Sequence, residues 1–312
     1  MFGKTSDMII KRICLLEILD FLGSRVLAVD GASEKELKDL FIDNLADADR
    51  VNETTLDWIN PSKTTKQEIA ERSKARVIVV NETITPIVGK VLIKVKNPKV
   101  ALADVGNHFF VEKPEPGIHP TAIIHPDAQI GKDVSIGAYS VIGKATIGDN
   151  CVIDSNVRIY DCVSMGNNCV IKSGAILGGA GFGYEKDENG NRFRFPQIGQ
   201  LILGNFVEVG ANTCIDRGAL ADTVIGDYTK INNLCHIAHN NRIGSNVIIT
   251  GCVNISGSNV IDDNVWLAPN SSIRGWVHIG EGATVGMAAV VTKDVPAYET
   301  WVGNPAHKLE KK

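Results

Sequence analysis

The chain has 312 residues, which excludes a single small module and leaves two domains or one elongated repeat domain. Hydrophobic residues make up 44% and charged residues 22%, enough apolar material for a core and too little charge for a disordered chain. The formal net charge of −4 gives no global footprint for nucleic acid or an anionic membrane, so an anionic substrate must be held by local groups.

The opening residues lack a basic n-region, and the apolar stretch after them is broken by Lys11, Arg12, Glu17 and Asp20. Neither a signal peptide nor integral membrane association is expected, and the expected location is cytoplasmic. Helical spacing over 11–22, 65–74 and 98–109 alternates with β-rich runs at 76–80 and 91–95, which predicts a small α/β domain over 1–113. The run Glu112-Lys113-Pro114-Glu115-Pro116-Gly117 reads as its linker.

Over the whole chain an aromatic content of 6% beside 30 glycines points to a repeat. Every sixth residue from Ile225 to Val291 is aliphatic, a run of twelve that chance would give on the order of once in ten million. The same phase runs as Ile118, Ile124, Ile130, Ile136 and Ile142, slips by one, and resumes from Ile147 to Leu177. A period of six is neither helical nor a simple alternation, so each unit is a turn, a short strand and a turn, with three units to a coil. About nine coils fit over 114–295, stacked as parallel ladders that bring residues 18 apart into columns. Glycine often follows the aliphatic residue (Gly131, Gly137, Gly226, Gly244), as a corner with crowded backbone or positive φ would require. Residues 296–312 are expected to close the stack.

Two interruptions leave this frame, at 178–196 and between Ile215 and Ile225, where a ligand wall could be built or insertions merely tolerated. Gly137 to Lys144 fails as a phosphate loop, and Gly179-x-Gly181-x-Gly183 has the wrong spacing for a dinucleotide fingerprint. The seven cysteines form no Cys-x-x-Cys pair and read as reduced apolar filler.

His236 and His239 flank the interior residue Ile237. His239 therefore projects outward near a corner, above a column continued by Gly257 and Gly275 and then Lys293. A narrow thioester arm fits such a bare strip, with backbone N–H groups close to its carbonyl. A zinc site built from His236, His239 and a neighbour's His278 is the less favoured use of these histidines, and no metal is expected.

The segments Gly178-Gly179-Ala180-Gly181-Phe182-Gly183-Tyr184, Pro196-Gln197-Ile198-Gly199, the run from Gly210 to Leu220 and His236-Ile237-Ala238-His239-Asn240 resemble the UDP-3-O-(3-hydroxyacyl)glucosamine N-acyltransferases of lipid A synthesis. The resemblance implies a mainly β fold, a left-handed parallel β-helix with a small N-terminal α/β domain, assembled as a homotrimer with sites between subunits. It also implies that His239 is the general base and that the Gly257 amide stabilises the oxyanion. Three departures stand out. Asn232-Asn233 replaces the family's Asp-Asn, Gly275-Trp276 replaces its Gly-His, and of its uridine-binding pattern only Asn60-Pro61 remains, with Trp58 one residue out of phase. The ending resembles acyl-CoA-dependent acyltransferases that modify amino groups of nucleotide-linked deoxysugars.

The expected activity is N-acyl transfer from a thioester, in the first instance a short acyl-CoA, to the amino group of a nucleotide-linked aminosugar. Catalysis is expected from His239 and Gly257, donor contacts from Gly257, Gly275 and Lys293, and acceptor contacts from Asn60, Tyr184, Asn232, Asn233 and His236. No tightly bound cofactor is expected, only acyl-CoA or acyl carrier protein as co-substrate. The alternatives are the lipid A enzyme itself, using acyl carrier protein, and a β-helix that binds or scaffolds without catalysis.

Overall fold

The computed structural model describes residues 11–310, and the chain divides into two compact units, Met1–Lys113 and Pro114–Lys312. In the first unit a four-stranded sheet runs in the order Val26–Asp30, Val91–Val95, Val77–Val80, Leu56–Trp58. Its first pair is antiparallel and the other two are parallel. Val77–Val80 is wholly buried because the two faces of the strand enter different cores. Val77 and Val79 join Leu15, Ile18 and Val105, whereas Ile78 and Val80 join Ile59 and Ala70, which is the two-residue alternation of a strand covered on both sides.

The helices are shorter than their sequence patterns. Ile13–Cys14 is a strand, paired with Phe41–Ile42, so the first helix is Leu15–Leu22. A helix that no pattern announced, Glu34–Lys38, follows it, and the second pattern forms Lys66–Arg72. Asn97 caps the helix of the third pattern, its side chain accepting from the Val100 N–H at 3.3 Å. That helix ends as α at Val105 and continues as a π turn over Gly106–Phe110. Trp58 shares the interior side of its strand with Leu56 and packs on the first core. Asn60 is exposed, and its side-chain oxygen accepts from the Ser62 N–H at 3.0 Å, a local turn bond.

The second unit is a solenoid of three sheets with 11, 9 and 8 strands, parallel except for the last strand of the first, most strands being two residues long. Registers such as Ile231↔Ile249 and Ile237↔Ile255 place residues 18 apart on one another. Ile231, Ile237, Ile243, Ile249, Ile255 and Ile261 lie in one continuous core, none more than 3% exposed. The first coil is the exception: Ile118 is 49% exposed, a residue of an end coil that has a neighbouring coil on one side alone.

The corner glycines do not use positive φ. Left-handed backbone falls two places later, on Asp133, Asn150, Asn156, Asn240 and even Tyr228 and Trp276. What the glycines provide is room. A Cβ at Gly137 would stand 2.5 Å from the Ser155 nitrogen and one at Gly226 2.5 Å from the Gly244 carbonyl carbon, so the stacking distance between coils excludes it.

Besides the short break at 217–222, two segments depart from the coil pattern. Residues 180–200 leave the solenoid after the strand Ile176–Gly179 and form an antiparallel hairpin, Tyr184–Lys186 with Arg192–Arg194, before Leu201–Leu203 rejoins the ladder beside Val163–Met165. At the far end Thr300–Val302 pairs with Thr284–Val285, and His307–Lys308 folds back antiparallel on it. Trp301, 8% exposed, covers the end of the core.

Candidate functional site

His239 sits two residues beyond the interior Ile237, on the corner that follows the strand His236–Ile237. Two glycines make space for its ring. A Cβ on Gly257, one coil further on, would lie 2.9 Å from Cε1 and 3.2 Å from Nε2. One on Gly181, in the excursion, would lie 2.7 Å from Cδ2. The imidazole thus stands between the bare strip and the loop.

Its tautomer follows from its neighbour. Nδ1 is 3.2 Å from the Asn240 side-chain oxygen, and that oxygen also accepts from the Ala219 N–H at 2.7 Å. The atom facing Nδ1 is therefore the amide oxygen, an acceptor, so Nδ1 carries the hydrogen and Nε2 keeps its lone pair. Nε2 is the nitrogen on the Gly257 side.

The strip leaves uncapped a backbone donor that many corners cap; among the described residues, corners such as Ala138, Ser173 and Gly251 leave it uncapped too, and this one differs from them in carrying His239. The second residue after an interior aliphatic turns its N–H outward, and at seven corners an Asp or Asn of the next coil accepts that hydrogen. The donors are Lys132, Lys144, Asp149, Asn167, Asn205, Ala211 and Ser245, at 2.7–2.9 Å. At the His239 corner the residues that would supply this cap are Gly257 and Gly275. Ser256 and Ser258 donate to Ile273 and His239 carbonyls, whereas the Gly257 N–H between them has no acceptor among the described residues. A Cβ on Gly275 would meet the Gly257 carbonyl oxygen at 2.9 Å, so a capping side chain here would have to displace that carbonyl. The outcome is a free backbone donor beside a free imidazole lone pair.

Asp216, from the preceding coil, adds a charge that sequence reasoning did not assign. Burial pushes its carboxyl up, and the nearby His236 and His239 pull it partly back. Its Oδ1 also faces the foot of the excursion, 3.7 Å from the position of a Cβ on Gly179. Asn240 was likewise unassigned. Both lie in the segments that carry the family resemblance, but their contacts to His239 depend on coil stacking across the second interruption.

The other expected residues are spread over the solenoid. His236 is exposed on the strand between Cys214 and Asn254. Asn232 and Asn233 occupy the preceding corner of the same coil, not the His239 corner. They line a groove of ≈ 320 Å³ with Lys172, Glu208, Lys230 and Ile248, and the Asn233 side chain accepts from the Ala211 N–H. Tyr184 stands at the base of the hairpin, where its hydroxyl accepts from Arg194 at 2.8 Å and its ring packs on Phe182. Lys293 is exposed, with Nζ 5.2 Å from the centre of the Trp301 ring. Within one chain His278 is not near His236: it lies on another sheet, bonded to Asp262 at 2.8 Å, so a single chain does not bring the three imidazoles together. Among the described residues no three His, Cys, Asp or Glu side chains are grouped to hold a metal, and no helix is long and apolar enough to cross a membrane.

Known proteins share this architecture. The family described as bacterial transferase hexapeptide (six repeats) matches residues 144–179 and 260–293. A UDP-3-O-acylglucosamine N-acyltransferase from Caulobacter sp. is 44% identical over 147 residues, covering 47% of this chain and 43% of that protein, so the match spans less than half the length of such a relative. One of the same name from Coxiella burnetii is 32% identical over 244 residues, covering 72% of this chain and 71% of that protein. Among solved structures, the UDP-N-acetylglucosamine O-acyltransferase of Moraxella catarrhalis superimposes with a TM-score of 0.57 at 27% identity, over 62% of this chain and 73% of that one. The chain belongs to the UDP-3-O-acylglucosamine N-acyltransferase family, on the left-handed β-helix of the hexapeptide-repeat transferases.

Proposed function

We propose that the protein transfers an acyl group from a thioester to the amino group of a UDP-3-O-acylglucosamine. The observation that carries this reading is the pairing of a free lone pair on His239 Nε2 with an uncapped N–H on Gly257. The amine attacks the thioester carbonyl, and the negative charge that forms on its oxygen is stabilised by the Gly257 N–H. Nε2 takes a proton from the attacking nitrogen. As the carbon–sulfur bond breaks, the thiolate leaves and the imidazolium returns that proton to it, giving amide and free thiol. A thioester is activated enough for this route, so positioning and one proton acceptor suffice.

The names of the relatives favour this acceptor over a deoxysugar; the donor of this reading, an acyl carrier protein, comes from the resemblance to the lipid A enzymes. A second reading, a short acyl-CoA and another nucleotide-linked aminosugar, draws on Asn232 and Trp276, which replace polar residues of the family pattern. A homotrimer suits either reading. Asn232 and Asn233 lie one corner away from His239, and side-by-side packing would let one chain's asparagine corner complete another's histidine corner.

The test is a panel of UDP-3-O-acylglucosamine and other nucleotide aminosugars, each with acyl carrier protein and CoA thioesters, followed by thiol release. Release with the UDP-3-O-acylglucosamine pairs supports the proposal, release with another aminosugar and acyl-CoA supports the second reading, and no release with any pair overturns both.

A further inference from the structure

We propose that Gln197 is a positioning residue for His239, its side-chain carbonyl set against the imidazole edge so as to favour the cation formed when the ring takes a proton. The inference rests on the reading of His239 as the base. Three observations lead to it. The Gln197 Oε1 is enclosed and has no hydrogen-bond partner among the described residues, a costly state for an amide oxygen that calls for a reason. The amide is also oriented, because Nε2 donates to the Phe195 carbonyl at 3.3 Å; turning it over would break that bond and place N–H donors toward the ring. Finally, a Cβ on Gly181 would stand 2.7 Å from Oε1 and 2.7 Å from His239 Cδ2. Glycine at this position lets the carbonyl and the ring edge flank one point, so the two atoms lie no further apart than the sum of those distances.

The chemistry of such a contact is differential. A neutral imidazole offers a weak C–H donor, whereas in the imidazolium the ring edge is positive and the carbonyl dipole opposes that charge. The contact therefore strengthens as the proton arrives, and interactions that strengthen along the reaction are the ones that accelerate it. The ionisable groups around the ring are few. The preceding coil brings Asp216 and Arg217, the latter held on the Gly199 carbonyl at 2.7 Å, and the ring's own strand brings His236. The following coil presents Gly257 and Ser258, which carry no charge. In the loop, Tyr184 and Arg194 bond to each other.

The test is an NMR titration of the His239 imidazole in the full-length protein without substrate, in the wild type, Gln197→Met and Gln197→Glu. Methionine keeps the bulk and removes the dipole, so the midpoint should fall by about half a pH unit, the scale of a C–H···O contact. Glutamate puts a charge in the same place and should move it upward. The acidic limb of kcat/KM should follow both, with KM for the acceptor unchanged. Opposite shifts support the proposal, since a residue that only supports the loop would not reverse sign with charge. A midpoint unmoved in both variants overturns it. Should methionine destabilise the loop, the glutamate variant and Gln197→Asn, which withdraws the carbonyl by one methylene, carry the same test. Because no substrate is present, opposite shifts in a protein that acylates nothing would support the coupling and overturn the proposed reaction alone.

Discussion

Seven corners of the solenoid and the corner at His239 share one backbone design and differ in a single respect. At the seven, an Asp or Asn from the next coil accepts the outward N–H, as Asp263 does for Ser245 at 2.7 Å. Along the His239 column the next two coils carry Gly257 and Gly275, and the donor is left free. The difference teaches that the site is made by omission together with a base: the repeat supplies an oriented N–H at every coil, other corners such as Ala138 and Gly251 also lack a cap among the described residues, and at this one the uncapped donor stands beside an imidazole.

The severest break in this comparison removes the base. His239→Ala should lower turnover by roughly a hundredfold or more, the range of a general base, with donor binding nearly intact. His236→Ala, on the exposed face of the strand, should cost much less. Steady-state kinetics at saturating substrates check the pair, and near wild-type turnover in His239→Ala would leave positioning as the whole mechanism.

Restoring a cap tests the omission itself. Gly275→Asn should offer the Gly257 N–H an acceptor and lower turnover by about a hundredfold, as loss of an oxyanion donor does. Its Cβ must displace the Gly257 carbonyl from 2.9 Å, so thermal melting should accompany the kinetics. Asp263→Ala is the mirror experiment, a cap removed where nothing is catalysed. It should cost about 1 kcal/mol of stability and leave turnover unchanged. If Gly275→Asn retained full activity with an unchanged melting temperature, the free N–H would have no part in the reaction.

The interior columns were legible because a coil must bury one aliphatic residue every six, and no other residue type meets that demand over twelve units. The reason for the corner glycines was half legible: crowding decides it, while positive φ falls on Asn and Asp, which tolerate it, and also on aromatics and on Cys162, Leu234, Cys252, Ser258 and Ala288. The His239 column was legible as soon as the spacing was counted. Asn240, Asp216 and Gln197 were not. Their partners are set by coil stacking and by two interruptions whose lengths break the period, so Cys214 pairs with His236, 22 residues on instead of 18. In the first unit the helical spacing over 11–22 concealed the strand Ile13–Cys14, whose pairing partner, Phe41–Ile42, lies outside any local window.

Asp216 sharpens the comparison from the electrostatic side. Burial raises its carboxyl, so in the window above the ordinary carboxylate value the folded chain binds more proton than the unfolded chain. Its contribution to stability is then most favourable at low pH and declines as pH rises through that window. Asp216→Asn removes the cost of a desolvated charge and should raise the melting temperature at pH 7 but not near pH 3. Losing a negative charge beside His239 should lower turnover by about tenfold. Equal melting shifts at both pH values would mean that the carboxylate is solvated and uninvolved.

The smallest expected effect lies at the end of the column. Lys293 is exposed and rests on the Trp301 ring, while Trp301 Nε1 donates to Glu299 and Glu299 also pairs with Lys308, at 2.8 and 2.7 Å. The ammonium thus has a place without a ligand, and a donor phosphate would have to draw it from the ring. Lys293→Ala should raise KM for a CoA thioester by about two- to fivefold, the worth of an exposed ion pair, with turnover unchanged. Loss of the cation–π contact adds a stability cost of roughly 0.5–1 kcal/mol, so kinetics belong well below the melting transition. Lys293→Arg keeps the charge and the stacking and should restore both. A donor KM unchanged in Lys293→Ala would confine this lysine to closing the solenoid, and the donor strip would then end at Gly275.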